Sequence, residues 1–213
     1  RTLDAAMLAQ LRRETAWIDP QVHLFRSSLF DNLCYGNGRR GPAQIEDEIR
    51  STDLEHILSY SPHGLQSPIG EGGALISGGE GQRIRAARAF GRTGVRLAIL
   101  DEPLRGLSHA DRQHLLATAR RHFAGATLFC VTHDVSDTLD LDQVLVIERG
   151  RVIEQGPPHV LCANPASRYN ALLAEERAVS REMWSHPKWR RLRLHAGALA
   201  EVRAAEGPQA IPL

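Results

Sequence analysis

Leu97-Ala98-Ile99-Leu100 runs straight into Asp101-Glu102-Pro103. Four apolar residues in a row leave no polar face, so this stretch asks for cover on both sides, as a central strand of a parallel sheet receives. The two acids then stand at the end of a buried strand, a stiff position. Asp101 can hold Mg2+ or its waters from there. Glu102 points elsewhere and can accept a proton from water, a contribution of roughly 10²–10⁴-fold in a general base. Alone, the run also reads as a charged strand end.

Its neighbours narrow that reading. Ser77-Gly78-Gly79-Glu80 lies 24 residues before Asp101 and opens a helix expected to reach about Phe90. A capping serine and two glycines at a helix start bare backbone N–H groups toward an anion. Ile84, Ala87 and Phe90 mark the buried face, with Arg83, Arg85 and Arg88 decorating the helix. Two further strand ends carry polar residues: Thr15–Ile18 leads through Asp19-Pro20 to Gln21, and 126–132 leads to His133 and Asp134. An imidazole there can order an attacking water, and the Gln21 amide can reach a metal. Elsewhere, Leu3 to Leu11 and Phe25 to Leu33 read as helices, and residues 39–74 as a small helical lobe ending in a flexible loop, Ile69-Gly70-Glu71-Gly72-Gly73. A helix from about Ala110 to Phe123 joins two strands. Segment 143–148 pairs with 151–155 across Arg149-Gly150, and Glu175–Trp184 is helical. Lys188 to Arg193 is a basic patch around Trp189; Trp184 and Trp189 are expected to pack on the main domain, with docking onto a partner or membrane face as the alternative, and 205–213 forms a loose end. Strands alternating with helices give an α/β fold with a mostly parallel sheet.

In order and spacing these motifs resemble those of ABC ATPases, over about Leu11 to Leu173. Gln21 matches the Q-loop glutamine, Ser77 to Glu80 the signature, Asp101 and Glu102 the Walker B aspartate and catalytic glutamate, and His133 the switch histidine. Phe25–Leu33 and Ile69–Gly73 resemble stretches of the exporter type, the second being the loop that touches membrane coupling helices. The resemblance implies a P-loop NTPase-like core with a helical signature subdomain, incomplete at its N-terminus: core with Q-loop over 1–30, helical subdomain over 31–95, core over 96–175, and an extension over 176–213. It also implies ATP and Mg2+ as cofactors, Asp101 and Gln21 toward the metal, and Ser77, Gly78, Gly79 and Glu80 toward nucleotide. Implied partners are a second cassette and a transmembrane domain, with the chain at the cytoplasmic face of the membrane. A net charge of +1 gives no reason to expect nucleic acid. An ABC-class ATPase uncoupled from transport and a degenerate cassette that only completes a partner's site stay open as alternatives.

Three departures stand out. Leu104-Arg105-Gly106-Leu107-Ser108 follows Pro103, so Ser108 replaces an aspartate that communicates across the dimer. Glu80 replaces a glutamine. Two like charges about 4 Å apart cost about 4 kcal/mol at an effective dielectric near 20, so Glu80 is expected to turn toward its own helix N-terminus and away from phosphate. The P-loop G-x-x-x-x-G-K-[ST] is absent; the one lysine among 26 basic residues is Lys188. The chain therefore reads as the later part of a longer exporter protein. With no phosphate cradle, and two carboxylates facing a polyphosphate, the isolated chain is expected neither to bind nor to hydrolyse ATP, and its sheet to be sticky. Calorimetry with Mg-ATP should show no saturable micromolar binding.

Overall fold

A computed structural model describes residues 4–38, 40–185, 192–195 and 198–201. The side-chain packing of Trp184 and Trp189, the patch opening at Lys188 and the 205–213 tail lie outside what it describes. The chain divides between His133 and Asp134 into two compact units.

The first unit starts with α1 (Ala5–Glu14), whose cap Asp4 accepts the Met7 N–H at 2.8 Å. It continues directly into β1 (Thr15–Ile18). The short helices α2 (Leu29–Cys34), α3 (Glu46–Ser51) and α4 (Glu55–Tyr60) follow, then the longer α5 (Gly78–Phe90). The elements β2 (Leu97–Asp101), α6 (His109–His122) and β3 (Thr127–Val131) complete the unit. All three strands are parallel, in the order β1-β2-β3, with Ile18 beside Leu100 and Asp101 beside Val131. The expected α/β architecture is present, and all three carboxyl ends fall on one edge.

Cover on both faces of β2, expected from its apolar run, is found on one face only. Ala98 and Leu100 are buried, as are Ala16 and Ile18 beside them. On the opposite face Trp17 and Phe129, in register across Ile99, remain 54% and 44% exposed. Successive side chains of a strand alternate between faces, so an unbroken apolar run says nothing about which face is covered.

The helical lobe buries Leu29, Ile45, Leu54, Ile69 and Ile84 in one cluster. The Gly-rich stretch expected to be a flexible loop is a tethered turn. Glu71–Gly73 forms a 3-10 turn, and Ile69 is 2% exposed. Gly72 N donates to Leu24 O (3.1 Å) and Ile69 N to Ser27 O (3.2 Å), so the turn lies along the segment that follows β1. Gly73 has φ +83, and a Cβ there would stand 2.9 Å from Leu24 Cδ1. Only glycine meets both demands.

Helix α5 is buried nearly all round, and two of its arginines do not lie on a solvent face. Arg88 is 8% exposed. Its Nε donates to Asn32 O at 2.8 Å, its Nη1 to His23 O at 3.0 Å and its Nη2 to Asn32 Oδ1 at 3.0 Å. The Phe25 and Tyr35 rings lie 5.7 and 5.3 Å from the guanidinium carbon. Burial, with Arg85 nearby, pushes the Arg88 pKa down to about 10. Arg85 donates to Val22 O at 2.7 Å. The post-β1 loop has few ladder partners for its carbonyls, and buried acceptors must find donors.

The second unit contains β4 (Val144–Glu148) and β5 (Arg151–Gly156), a two-stranded antiparallel hairpin of its own. Arg149 and Gly150 turn it with φ +50 and +75, the positive pair that a tight hairpin needs. The helix α7 (Pro158–Ala163) follows, then α8 (Arg168–Ser185), which begins before the expected Glu175. Ser167 Oγ accepts the Asn170 N–H (3.2 Å) at its start, and Tyr169 is fully buried with its hydroxyl 2.8 Å from Thr138 Oγ1. Strands β6 (Leu192–His195) and β7 (Ala198–Glu201) form an antiparallel pair.

Arg88→Met would take the guanidinium from His23 O, Asn32 O and Asn32 Oδ1, of which the last keeps the Phe25 N–H at 2.9 Å. We expect a loss of about 2–4 kcal/mol in urea unfolding, against less than about 0.5 kcal/mol for the same change at exposed Arg12 on α1.

Candidate active site

The polar residues singled out after the strands collect on the carboxyl edge of the parallel sheet, where open α/β sheets bind ligands. Asp101 ends β2, paired with Val131 of β3. Glu102 follows, its N–H donating to Val131 O at 2.9 Å, one step beyond the strand. His133 stands two residues past β3. Gln21 is exposed beyond β1, in a turn where its N–H donates to Asp19 Oδ1 at 2.7 Å.

Glu102 and His133 are in direct contact: His133 Nδ1 is 2.8 Å from Glu102 Oε2. The glutamate side chain is 30% exposed and the imidazole 72%. Glu102 also has φ +45, a left-handed conformation that costs a non-glycine residue of order 1–3 kcal/mol. That reversal immediately after β2 separates the direction of Glu102 from that of Asp101. A carboxylate beside an imidazole can take a proton from a water lying between them and the substrate.

Among the described residues no group of three or more His, Cys, Asp and Glu side chains is arranged to hold a metal. Mg2+ usually keeps several waters and takes one or two carboxylates with phosphate oxygens. One strand-end carboxylate, Asp101, with an exposed amide at Gln21 is a donor set of that kind.

At the start of α5, Ser77 Oγ accepts the Glu80 N–H at 3.3 Å and Glu80 Oε2 accepts the Ser77 N–H at 2.7 Å, a capping box. The other Glu80 oxygen accepts the Tyr60 hydroxyl. Glu80 thus faces its own helix N-terminus, as the charge argument expects. Burial pushes its carboxyl up, but the bonds from Tyr60 and Ser77 outweigh it and hold the pKa below the usual range; the same contact pushes Tyr60 up to about 12. A Cβ on Gly78 would meet nothing within 4 Å, whereas one on Gly79 would meet Gly106 O at 3.2 Å and Leu107 Cδ2 at 3.3 Å. Gly78 is open to a ligand and Gly79 is packed against the segment after Glu102.

Ser108 has a structural occupation. It caps α6, accepting the Asp111 N–H at 3.3 Å and donating to Asp111 Oδ2 at 2.8 Å. Asp111 is then 2.8 Å from Arg83, which also reaches Asp53 at 2.7 Å. Gln82, 2% exposed, is a connection that motif reasoning overlooks. Its Nε2 donates to Glu102 O at 3.2 Å and lies 3.4 Å from Pro103 O, joining α5 to the strand end. It stands inside the run Ser77 to Arg83; the signal was its neighbourhood, since nothing in its residue type marks it.

No family model matches the chain. Comparison with known proteins finds relatives nonetheless. It is 35% identical over 162 residues to the ATP-dependent lipid A-core flippase of Xanthomonas euvesicatoria, covering 76% of this chain and 27% of that protein. It is 29% identical over 184 residues to the human mitochondrial iron-sulfur clusters transporter ABCB7, covering 85% and 24%. Among solved structures, a bacterial Atm1-family ABC exporter with ATP bound matches 79% of this chain and 29% of its own, with a TM-score of 0.73 and 26% identity. The chain is related to ABC exporters in sequence and fold, and it spans about a quarter of the length of these relatives.

Glu80→Ala should destabilise the start of α5 by about 1 kcal/mol at neutral pH. A depressed carboxyl pKa stabilises the fold above the unfolded value and loses that contribution as pH falls through the folded one. The difference between Glu80→Ala and the parent in thermal unfolding should therefore shrink in acid.

Proposed function

We propose that the chain is the later part of an ATP-hydrolysing cassette of an ABC exporter, carrying its Q-loop, signature, Walker B and switch histidine. The observation that carries this reading is the 2.8 Å contact between His133 and Glu102 at the carboxyl edge of the parallel sheet. Glu102 acts as the base on the attacking water, and His133 orders that water and the leaving phosphate. Asp101, with Gln21, would hold Mg2+, which would supply positive charge against the phosphates. The Ser77 hydroxyl and the N–H of Gly78, whose surroundings are open, meet the phosphates of ATP held by a second cassette, as the helix dipole favours.

Export then follows from ATP-driven pairing of two cassettes beneath a transmembrane domain, on the cytoplasmic face of the membrane. No helix among the described residues is long and apolar enough to cross a membrane, so the reading assigns the membrane path to another segment or subunit. The tethered turn at Glu71–Gly73 is the surface for that partner: the Glu71 side chain is 67% exposed, and it lies 3.2 Å from a His23 that is itself 54% exposed.

In the assembled transporter, Glu102→Gln should retain ATP binding and cut turnover by at least about 100-fold, as loss of a general base does. Near-parental turnover would overturn the reading and favour a cassette that only completes its partner's site. A cysteine placed by Glu71→Cys should crosslink to a cytoplasmic loop of the transmembrane partner in active complexes; no crosslink in such complexes would count against export.

A further inference from the structure

The strained backbone of Glu102 is held from outside its own strand. Gln82 reaches it from α5 with an amide whose orientation is fixed by chemistry. The Oε1 end accepts from Arg85 Nη1 at 3.2 Å, so the NH2 end must face the other way. There it finds Glu102 O at 3.2 Å and Pro103 O at 3.4 Å. Arg85 is held in turn by Val22 O, at 2.7 Å through Nε. Val22 is the residue after Gln21. A continuous set of hydrogen bonds therefore joins the Gln21 loop, α5 and the backbone of Glu102, and its central member is 2% exposed.

We propose that Gln82 and Arg85 are positioning residues that keep Glu102 aimed at His133 and tie that aim to the loop carrying Gln21. The proposal rests on the function just inferred. Holding the 102 carbonyl fixes ψ of Glu102, and with φ at +45 this fixes where the side chain leaves the backbone. Without the amide, the 102 carbonyl is left with the long 3.4 Å bond from the Arg105 N–H, a weak restraint on a strained residue, and relaxation of Glu102 swings its carboxylate away from the imidazole. Gln82 is buried and acts on Glu102 through its backbone carbonyl, and Arg85 acts through Gln82. The expected signature is thus a loss in kcat with ATP binding spared, and a loss that disappears once Glu102 no longer acts as a base.

The test uses the assembled transporter. Gln82→Leu should lower kcat about tenfold and leave the KM for ATP within about twofold. Gln82→Glu, which keeps the acceptor for Arg85 but turns a carboxylate oxygen on two carbonyls, should lower it at least as far. Arg85→Leu leaves Gln82 in place and should lower kcat about threefold, which keeps the proposal testable if changes at buried position 82 prevent folding. In a Glu102→Gln background none of these should reduce turnover further. Unchanged kcat in folded Gln82 and Arg85 variants, or losses that multiply with that of Glu102→Gln, would overturn the proposal. Full turnover in Glu102→Gln alone would instead remove the reading beneath it.

Discussion

Between Val22 and Ser28 the chain has left β1 and not yet entered α2, and its carbonyls need donors that no strand supplies. Arg88 and Arg85 supply them from one side of α5. A buried guanidinium is costly, and here it has no carboxylate at hand: its partners are His23 O, Asn32 O and Asn32 Oδ1. The depressed pKa is the trace of that cost. It is tolerated because one planar group with five donors satisfies several fixed acceptors at once. With this loop pinned, Gln21 is held beyond β1, the Glu71 turn gains a surface to lie along, and α5 is locked against the sheet edge that carries Glu102.

Much of the fold was legible because burial wrote itself as pattern. Thr15–Ile18, Leu97–Leu100 and Thr127–Val131 were found as strands from short apolar runs, and Ser77 and the Ala110 region marked helices by cap and period. The polar residues at the strand ends were legible because position alone singles them out. Arg85 and Arg88 were not, because arginine on a helix reads as surface unless the neighbouring loop's unsatisfied carbonyls are known, and those are a tertiary fact. The onset of α8 escaped because its cap, Ser167, lies just past Pro165, where a turn is the simpler reading. The reversal at Glu102 left no mark in the sequence, since the residue type that would announce a positive φ is glycine.

The replacements at positions 80 and 108 share a physical character. Both put a side chain of capping chemistry at the N-terminal end of a helix. Glu80 closes a box with Ser77, and Ser108 caps α6 and positions Asp111 for Arg83. Each therefore stabilises its own helix, whatever it does toward a partner. Arg83 links the two helices by bridging Asp111 and Asp53, so the start of α6 and the lobe are braced through a residue of α5.

The two glycines after Ser77 stand under different constraints. At Gly79 a methyl group would press on Gly106 O and Leu107, while at Gly78 it would meet open space. A lineage that had given up hydrolysis would still have to keep the first of these to preserve its packing, and would be free to let the second drift. Retention of Gly79 in a distant homologue is therefore a record of fold, and retention of Gly78 a record of use.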